Sequence, residues 1–128
     1  MAQKNTGRLV LAVVAGFALW SALWLIAGVV VLAVAPDAYG EDGRTVTSSA
    51  TLILFILVAA VVSLVAGWVT ALIGREAGRT AAMILAVVLL LVGLGVEIGS
   101  WQYAPIWYHL VFLGLLVPAT MAGAAIRR

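Results

Sequence analysis

Four long apolar runs dominate the chain, and short polar segments separate them. The runs are Leu9–Val34, Ala50–Ile73, Ala81–Ile98 and Ile106–Ile126. A membrane helix needs about 20 mostly apolar residues, because each residue rises about 1.5 Å and the hydrocarbon core is about 30 Å thick. The pattern therefore predicts an all-α integral membrane protein. Residues 1–128 would form a single transmembrane domain, a four-helix transmembrane bundle with up-down-up-down topology.

The composition supports a membrane environment. Hydrophobic residues make up 66% of the chain and charged residues only 9%. Soluble domains are about half apolar and about a quarter charged. A globule of this size has too little interior to hide so much apolar surface from water. We therefore expect the lipid bilayer to surround the protein.

The basic residues predict the orientation of the spans. Six of the seven Lys and Arg residues fall on one side of the four-span pattern, and only Arg44 falls on the other. The six are Lys4, Arg8, Arg75, Arg79, Arg127 and Arg128. Basic residues accumulate in cytoplasmic segments, so both termini are predicted to be cytoplasmic. The first run is longer than the apolar region of a signal peptide, so we expect it to remain as a span.

Two motifs resemble a group of small, uncharacterised bacterial four-helix membrane proteins. Residues 66–75 read AGWVTALIGR, and residues 104–109 read APIWYH. Members of the group carry a Gly-Gly-aromatic stretch running into an arginine after the second helix, and a Pro-x-Trp-Tyr stretch opening the fourth. Ala66 stands here where members have the first glycine. The resemblance implies a multi-pass protein of the bacterial inner (cytoplasmic) membrane and carries no activity to transfer.

Several function classes are disfavoured by what the chain lacks. The basic residues lie at the ends of apolar runs and form no patch, which argues against nucleic-acid binding. There is no cysteine and only one histidine, too few ligands for iron–sulfur, zinc or bis-histidine haem sites. The sequence also has no phosphate-binding loop and no Ser/His/Asp set. We therefore expect no catalytic residue, no metal and no cofactor, and we predict that the protein is not an enzyme.

Small side chains recur every four residues on several runs. The series are Ala59, Ser63, Gly67 and Ala71 on the second run, Gly95 and Gly99 on the third, Gly114, Pro118 and Ala122 on the fourth, and Ala12 and Gly16 on the first. Residues four apart share one helix face, and small ones let helix backbones approach closely. Two interpretations stay open, packing inside the bundle and a face for another chain.

Aromatic residues occupy two regions of the predicted bundle. Trp101, Tyr103, Trp107 and Tyr108 crowd the turn between the third and fourth runs. Trp and Tyr favour the membrane–water interface, so an interfacial belt is expected there, with a ligand-stacking or quinone-like pocket as the alternative. Trp20 and Trp24 lie deeper and one turn apart on the first run. We expect them to fill packing gaps or to face another protein.

Glu97 and His109 form the most informative polar pair. Glu97 lies near the end of the third run, and His109 lies one turn inside the fourth, so the two side chains could meet if these spans are antiparallel neighbours, with Trp101 in the turn between them. An ionisable residue within a membrane span is a functional candidate by default. Both positions are shallow, where water relieves the cost of charge. A structural clasp or solvated ends is expected, and a proton- or cation-handling site is the alternative.

The polar pattern favours a non-catalytic function. No charged residue lies near the middle of any run, whereas ion-coupled transporters usually place an acid or base at depth. We predict an accessory or scaffold subunit that packs against other membrane-protein subunits or against itself as a homo-oligomer. The alternative is a small oligomeric transporter or channel with a shallow polar site near Glu97 and His109.

Overall fold

The computed structural model describes residues 2–35, 37, 48–99 and 101–126, with side chains from Thr6 onward. Its α-helices are α1 (Ala2–Val34), α2 (Ser49–Gly74), α3 (Gly78–Gly99) and α4 (Ile106–Ile126). A short 3-10 turn at Arg75–Ala77 connects α2 to α3, and a second at Trp101–Tyr103 lies between α3 and α4. No strand occurs among the described residues, so the predicted all-helical class is confirmed for them.

Three helical segments are long and apolar enough to cross a membrane. They are Thr6–Val34, Ser49–Gly99 and Ile106–Ile126. The middle segment is 51 residues long and contains both α2 and α3, because the 3-10 turn between them leaves no break in the helical run. Segments of this apolarity are consistent with the predicted membrane protein.

The turn between α2 and α3 is tight, because only the 3-10 residues Arg75–Ala77 separate the two helices. Arg75 ends α2 with a φ of 53°, a left-handed value that is uncommon for a residue other than glycine. Its N–H bonds to the carbonyl of Ala71, which satisfies one carbonyl at the end of α2. A Cβ on Gly78 would lie 2.5 Å from the same carbonyl oxygen, so only glycine fits this close approach.

Capping contacts define two other helix ends. The hydroxyl of Ser48 accepts a hydrogen bond from the Thr51 N–H at the start of α2. The Arg8 guanidinium donates to the carbonyl of Ile73 at 2.8 Å, and thereby satisfies a second carbonyl at the end of α2. Helix α1 begins before the predicted span and includes this arginine. The polar residues between the first two apolar runs predict a loop over Ala35–Ser49, and most of that loop lies outside the described residues.

Helices α2 and α4 pack with their backbones in direct contact. A Cβ on Gly67 would lie 2.0 Å from the carbonyl oxygen of Thr120, and a Cβ on Gly123 would lie 1.9 Å from that of Leu64. Distances this short leave no room for even a methyl group. The two glycines therefore set the separation between the helices, as small residues do where helices meet in lipid.

Helix α1 is closely packed near Gly16 and is not near Gly28. A Cβ on Gly16 would lie 1.9 Å from the Thr70 hydroxyl oxygen and 2.9 Å from a methyl group of Leu85. Near the end of α1, a Cβ on Gly28 would meet no atom within 4 Å. The last part of α1 therefore leaves space beside Gly28 that the first part does not leave beside Gly16.

Candidate functional site

Glu97 and His109 meet where α3 ends and α4 begins. Nδ1 of His109 contacts Oε2 of Glu97, and Nε2 of His109 lies 3.0 Å from the carbonyl oxygen of Trp101. His109 is 1% exposed and Glu97 5% exposed. The expectation of solvated ends is therefore wrong, because both side chains are enclosed by protein and bind each other as a clasp.

The hydrogen bonds of His109 determine how many protons the Glu97–His109 pair holds. A carbonyl oxygen only accepts, so Nε2 must carry a hydrogen and donate to Trp101. One further proton lies between Nδ1 and Oε2, on the imidazole or on the carboxyl group. Without it, a nitrogen lone pair would face a carboxylate oxygen and the contact would be repulsive. With either placement the pair has no net charge, which lowers the cost of burying it.

Aromatic rings enclose the histidine. The Trp101 ring stacks on the imidazole with centroids 4.5 Å apart and an angle of 12° between the planes. Tyr108 meets the imidazole edge-on at 5.8 Å. Trp101 itself is 40% exposed, as expected for an interfacial side chain. The 3-10 turn that contains Trp101 thus supplies both a ring and a carbonyl to His109.

A cavity of about 430 Å³ lies beside the pair, and Glu97 and His109 contribute to its wall. We call it the aromatic cavity. The rest of the wall is mostly apolar and comes from all four helices, with Tyr103 and Tyr108 as further side chains that carry a polar group. Its apolar members include Trp20, Trp24, Leu52, Phe55, Leu89 and Phe112. A pocket of this size, largely apolar with a few polar groups at one place, is typical of small-molecule binding sites.

Trp20 and Trp24 pack within the chain. The Trp20 indole N–H donates to the Ser63 hydroxyl at 2.9 Å. The two indole rings stack with centroids 5.7 Å apart, and Trp24 meets Phe112 edge-on at 5.3 Å. Both tryptophans therefore make intramolecular contacts and line the aromatic cavity, so they give no support to a partner face.

The small-residue series fall into two groups. Ala59, Ser63, Gly67 and Ala71 are all buried inside the chain, where the α2 backbone meets α4. Gly95 and Gly99 on α3 are exposed, and a Cβ on either would meet nothing within 4 Å. Of the two open interpretations, internal packing therefore applies to the series on α2, and a free surface remains on α3.

The small-residue series on α4 lies on the exposed side of the helix. Gly114, Pro118 and Ala122 are exposed, whereas the neighbouring Ala119 and Gly123 are buried. Both faces carry small residues at the same spacing, so the four-residue period alone does not distinguish them. The deciding contact is that of Gly123 with the backbone of α2.

Sequence reasoning missed the apolar part of the site. Leu52, Phe55 and Phe112 are buried and line the aromatic cavity, but in an apolar run they look like any other residue. Only their spacing on one face of α2 or α4 could have indicated them. No group of three or more His, Cys, Asp or Glu side chains within the described residues could hold a metal ion.

No family model, curated protein or solved structure matches the chain. The resemblance to small bacterial four-helix membrane proteins therefore stays a prediction. The aromatic cavity and the residues that form it are the features that bear on function.

Proposed function

We propose that the protein is a non-catalytic integral membrane protein that binds a lipid-like molecule in the aromatic cavity. The observation that carries this proposal is the cavity itself, about 430 Å³ in volume with apolar walls from four helices. Pockets of about 300–1,000 Å³ enclose most of a small organic ligand. Glu97 and His109 supply a polar group at one place in the wall, which would orient a ligand that has one polar end.

Access to the cavity is lateral, between α1 and α3. Leu25 of α1 and Val96 of α3 line the cavity and are 67% and 58% exposed. Gly28, also in the wall, has open space where a Cβ would stand. In a bilayer these exposed apolar residues face acyl chains. A ligand dissolved in the membrane would therefore enter sideways without first crossing water.

We further infer a four-span bundle in the bacterial inner membrane, with both termini in the cytoplasm. The six-to-one distribution of Lys and Arg supports this orientation. Glu97 at the end of α3 and His109 at the start of α4 would then lie in the external half of the membrane. The aromatic cavity would accordingly take its ligand from the external leaflet.

A second candidate is the accessory or scaffold function, as a subunit of a larger membrane complex or as a homo-oligomer. It is supported by the surface of α3, where Gly95 and Gly99 leave open space beside the exposed Leu91 and Ile98. The oligomeric transporter has less support, because Glu97 and His109 are bonded to each other in a neutral pair and both are buried.

A substitution that fills the aromatic cavity tests the proposed function. Gly28→Phe adds a ring to the wall of the cavity where nothing obstructs it, and Gly95→Phe adds the same ring to the open outer surface of α3. The ligand probe is 1-bromoundecane in lipid nanodiscs, since bromine quenches nearby tryptophans and Trp20 and Trp24 line the cavity. Amounts are expressed per mole of lipid.

We expect saturable quenching of the unmodified protein and of Gly95→Phe, and at least tenfold weaker quenching of Gly28→Phe. Circular dichroism would check that both variants retain their helix content. Quenching that rises linearly with probe in the unmodified protein would contradict the proposal. So would equal, saturable quenching of both variants.

A further inference from the structure

The free oxygen of Glu97 determines what the aromatic cavity recognises. Oε2 bonds to His109, and no hydrogen-bond donor among the described residues reaches Oε1. Within the described residues, the fully buried side-chain polar atoms that lack a hydrogen-bond partner are the hydroxyl oxygens of Thr70 and Thr120. Oε1 of Glu97 is not one of these atoms. Since Glu97 forms part of the cavity wall, its remaining accessible surface faces the cavity.

Oε1 accepts a hydrogen bond whichever way the pair holds its proton. When the proton is on Nδ1, Glu97 is a carboxylate and both oxygens accept. When the proton is on Oε2, Oε1 is the carbonyl oxygen of a neutral acid and again only accepts. A ligand group that faces Oε1 must therefore donate a hydrogen.

The cavity wall also offers a donor. Trp24 contributes to it, and the indole N–H of Trp24 has no acceptor among the described residues. An indole nitrogen only donates. A hydroxyl group suits both kinds of protein group, because its hydrogen donates and its oxygen accepts.

We infer that the aromatic cavity binds a neutral, single-chain lipid alcohol, whose hydroxyl group donates to Oε1 of Glu97. Phenolic and hydroquinone head groups belong to the same class. This inference rests on the proposed function, since it names the ligand class of the same cavity. The described wall has few polar groups, so the rest of the ligand is apolar, and the volume accommodates one chain with a small head group.

Other head groups fit less well. A carboxylate or phosphate would bring negative charge against Oε1. An oxidised quinone could accept from the Trp24 N–H but would leave Oε1 without a donor. A cation gains little, because the Glu97–His109 pair is neutral as a whole and provides no uncompensated charge. The cavity therefore discriminates by hydrogen-bond donation and not by charge.

Three brominated chains of equal length test the inference. They are 11-bromo-1-undecanol, 1-bromoundecane and 11-bromoundecanoate, each titrated into nanodiscs that contain the full chain, with tryptophan quenching as the readout. We expect the alcohol to bind about tenfold more tightly than the bromoalkane, since a hydrogen bond in an apolar site is worth about 1 kcal/mol or somewhat more. The carboxylate should bind no more tightly than the bromoalkane.

Two substitutions of Glu97 separate hydrogen bonding from charge. In Glu97→Gln the side-chain amide donates to Nδ1 and turns its oxygen toward the cavity, so the preference for the alcohol should persist. Glu97→Leu removes the acceptor, and the alcohol should then bind no better than the bromoalkane. If Glu97→Leu loses helix content, Trp24→Phe gives a second test: it keeps an aromatic ring and should reduce the preference for the alcohol.

The outcomes distinguish this inference from the proposed function. If all three chains quench equally and Gly28→Phe abolishes their quenching, the cavity binds apolar chains but the alcohol inference is wrong. If the carboxylate binds most tightly, the inference is also wrong. Loss of the alcohol preference in Glu97→Gln would show recognition by charge and would likewise overturn it. Absence of saturable binding for all three chains refutes the proposed function itself.

Discussion

The contact between Gly67 and Thr120 gives a direct test of the packing between α2 and α4. In Gly67→Ala the new methyl group would stand 2.0 Å from the carbonyl oxygen of Thr120. Ordinary contact begins at 3.4 Å, so the helices would have to separate by more than 1 Å along this line. The obstructing atom belongs to the backbone and cannot turn away as a flexible side chain would.

The expected cost follows from what that separation disrupts. Moving α4 away from α2 also loosens the contact of Gly123 with Leu64 and the packing around the buried Ala59 and Ser63. Overpacking a close-fitting interior costs about 1–3 kcal/mol. The rigidity of the obstructing backbone puts Gly67→Ala at the upper end, about 3 kcal/mol, despite the better intrinsic helix propensity of alanine.

Unfolding in mixed micelles of increasing SDS content measures this cost by circular dichroism. The matched control is Gly114→Ala on α4, where a Cβ meets nothing within 4 Å; it should leave stability unchanged or raise it by less than about 1 kcal/mol. If Gly67→Ala unfolds at the same SDS fraction as Gly114→Ala, the close approach of α2 and α4 does not exist and the reasoning is refuted.

Two further predictions concern topology and assembly. The chain has no cysteine, so a single-cysteine variant carries one reactive thiol. Asp42→Cys should react with a membrane-impermeant maleimide in intact cells, and Ala77→Cys should not. The reverse result would invert the topology. The accessory or scaffold function predicts a particle in mild detergent well above the 13.3 kDa chain plus detergent. Gly95→Leu, which adds bulk to the open surface of α3, should reduce that particle to a monomer, and a monomeric unmodified protein would contradict this second candidate.

The helices could be predicted well because a membrane helix is recognised by the length and the apolar character of its run of residues. Apolar runs must form helices if they lie in lipid, since every backbone group needs an internal partner. The ends are less well predicted. Helix α1 extends beyond its apolar run to Ala2, and α3 begins at Gly78, before the apolar run that starts at Ala81. Polar residues do not stop a helix when its hydrogen bonds continue.

The polar part of the candidate site could also be predicted, whereas the cavity could not. Glu97 and His109 stand out as the ionisable residues near two adjacent helix ends, so their contact follows from an antiparallel hairpin. The aromatic cavity is the space left between side chains of all four helices, and this space depends on where close contacts occur. Gly16 is tightly enclosed and Gly28 is not, and a glycine in a sequence does not reveal which of these applies.

The two ends of the helix assembly differ. Close helix packing occurs at one end, and the aromatic cavity lies at the other. Gly67 and Gly123 bring the backbones of α2 and α4 into contact, and Gly16 brings α1 close to the side chains of Thr70 and Leu85. Toward Glu97 the larger rings of Trp24 and Phe112 meet edge-on and hold the helices apart, because an edge-to-face pair of rings needs more space than two glycines.

A cavity flanked by close contacts of this kind is preformed, so a ligand would bind without having to separate helices first. Preformed sites lose less free energy on binding, because the ordering cost has already been met in folding. The same division explains why the small residues on α2 do not imply a partner: they position the helices that carry the site.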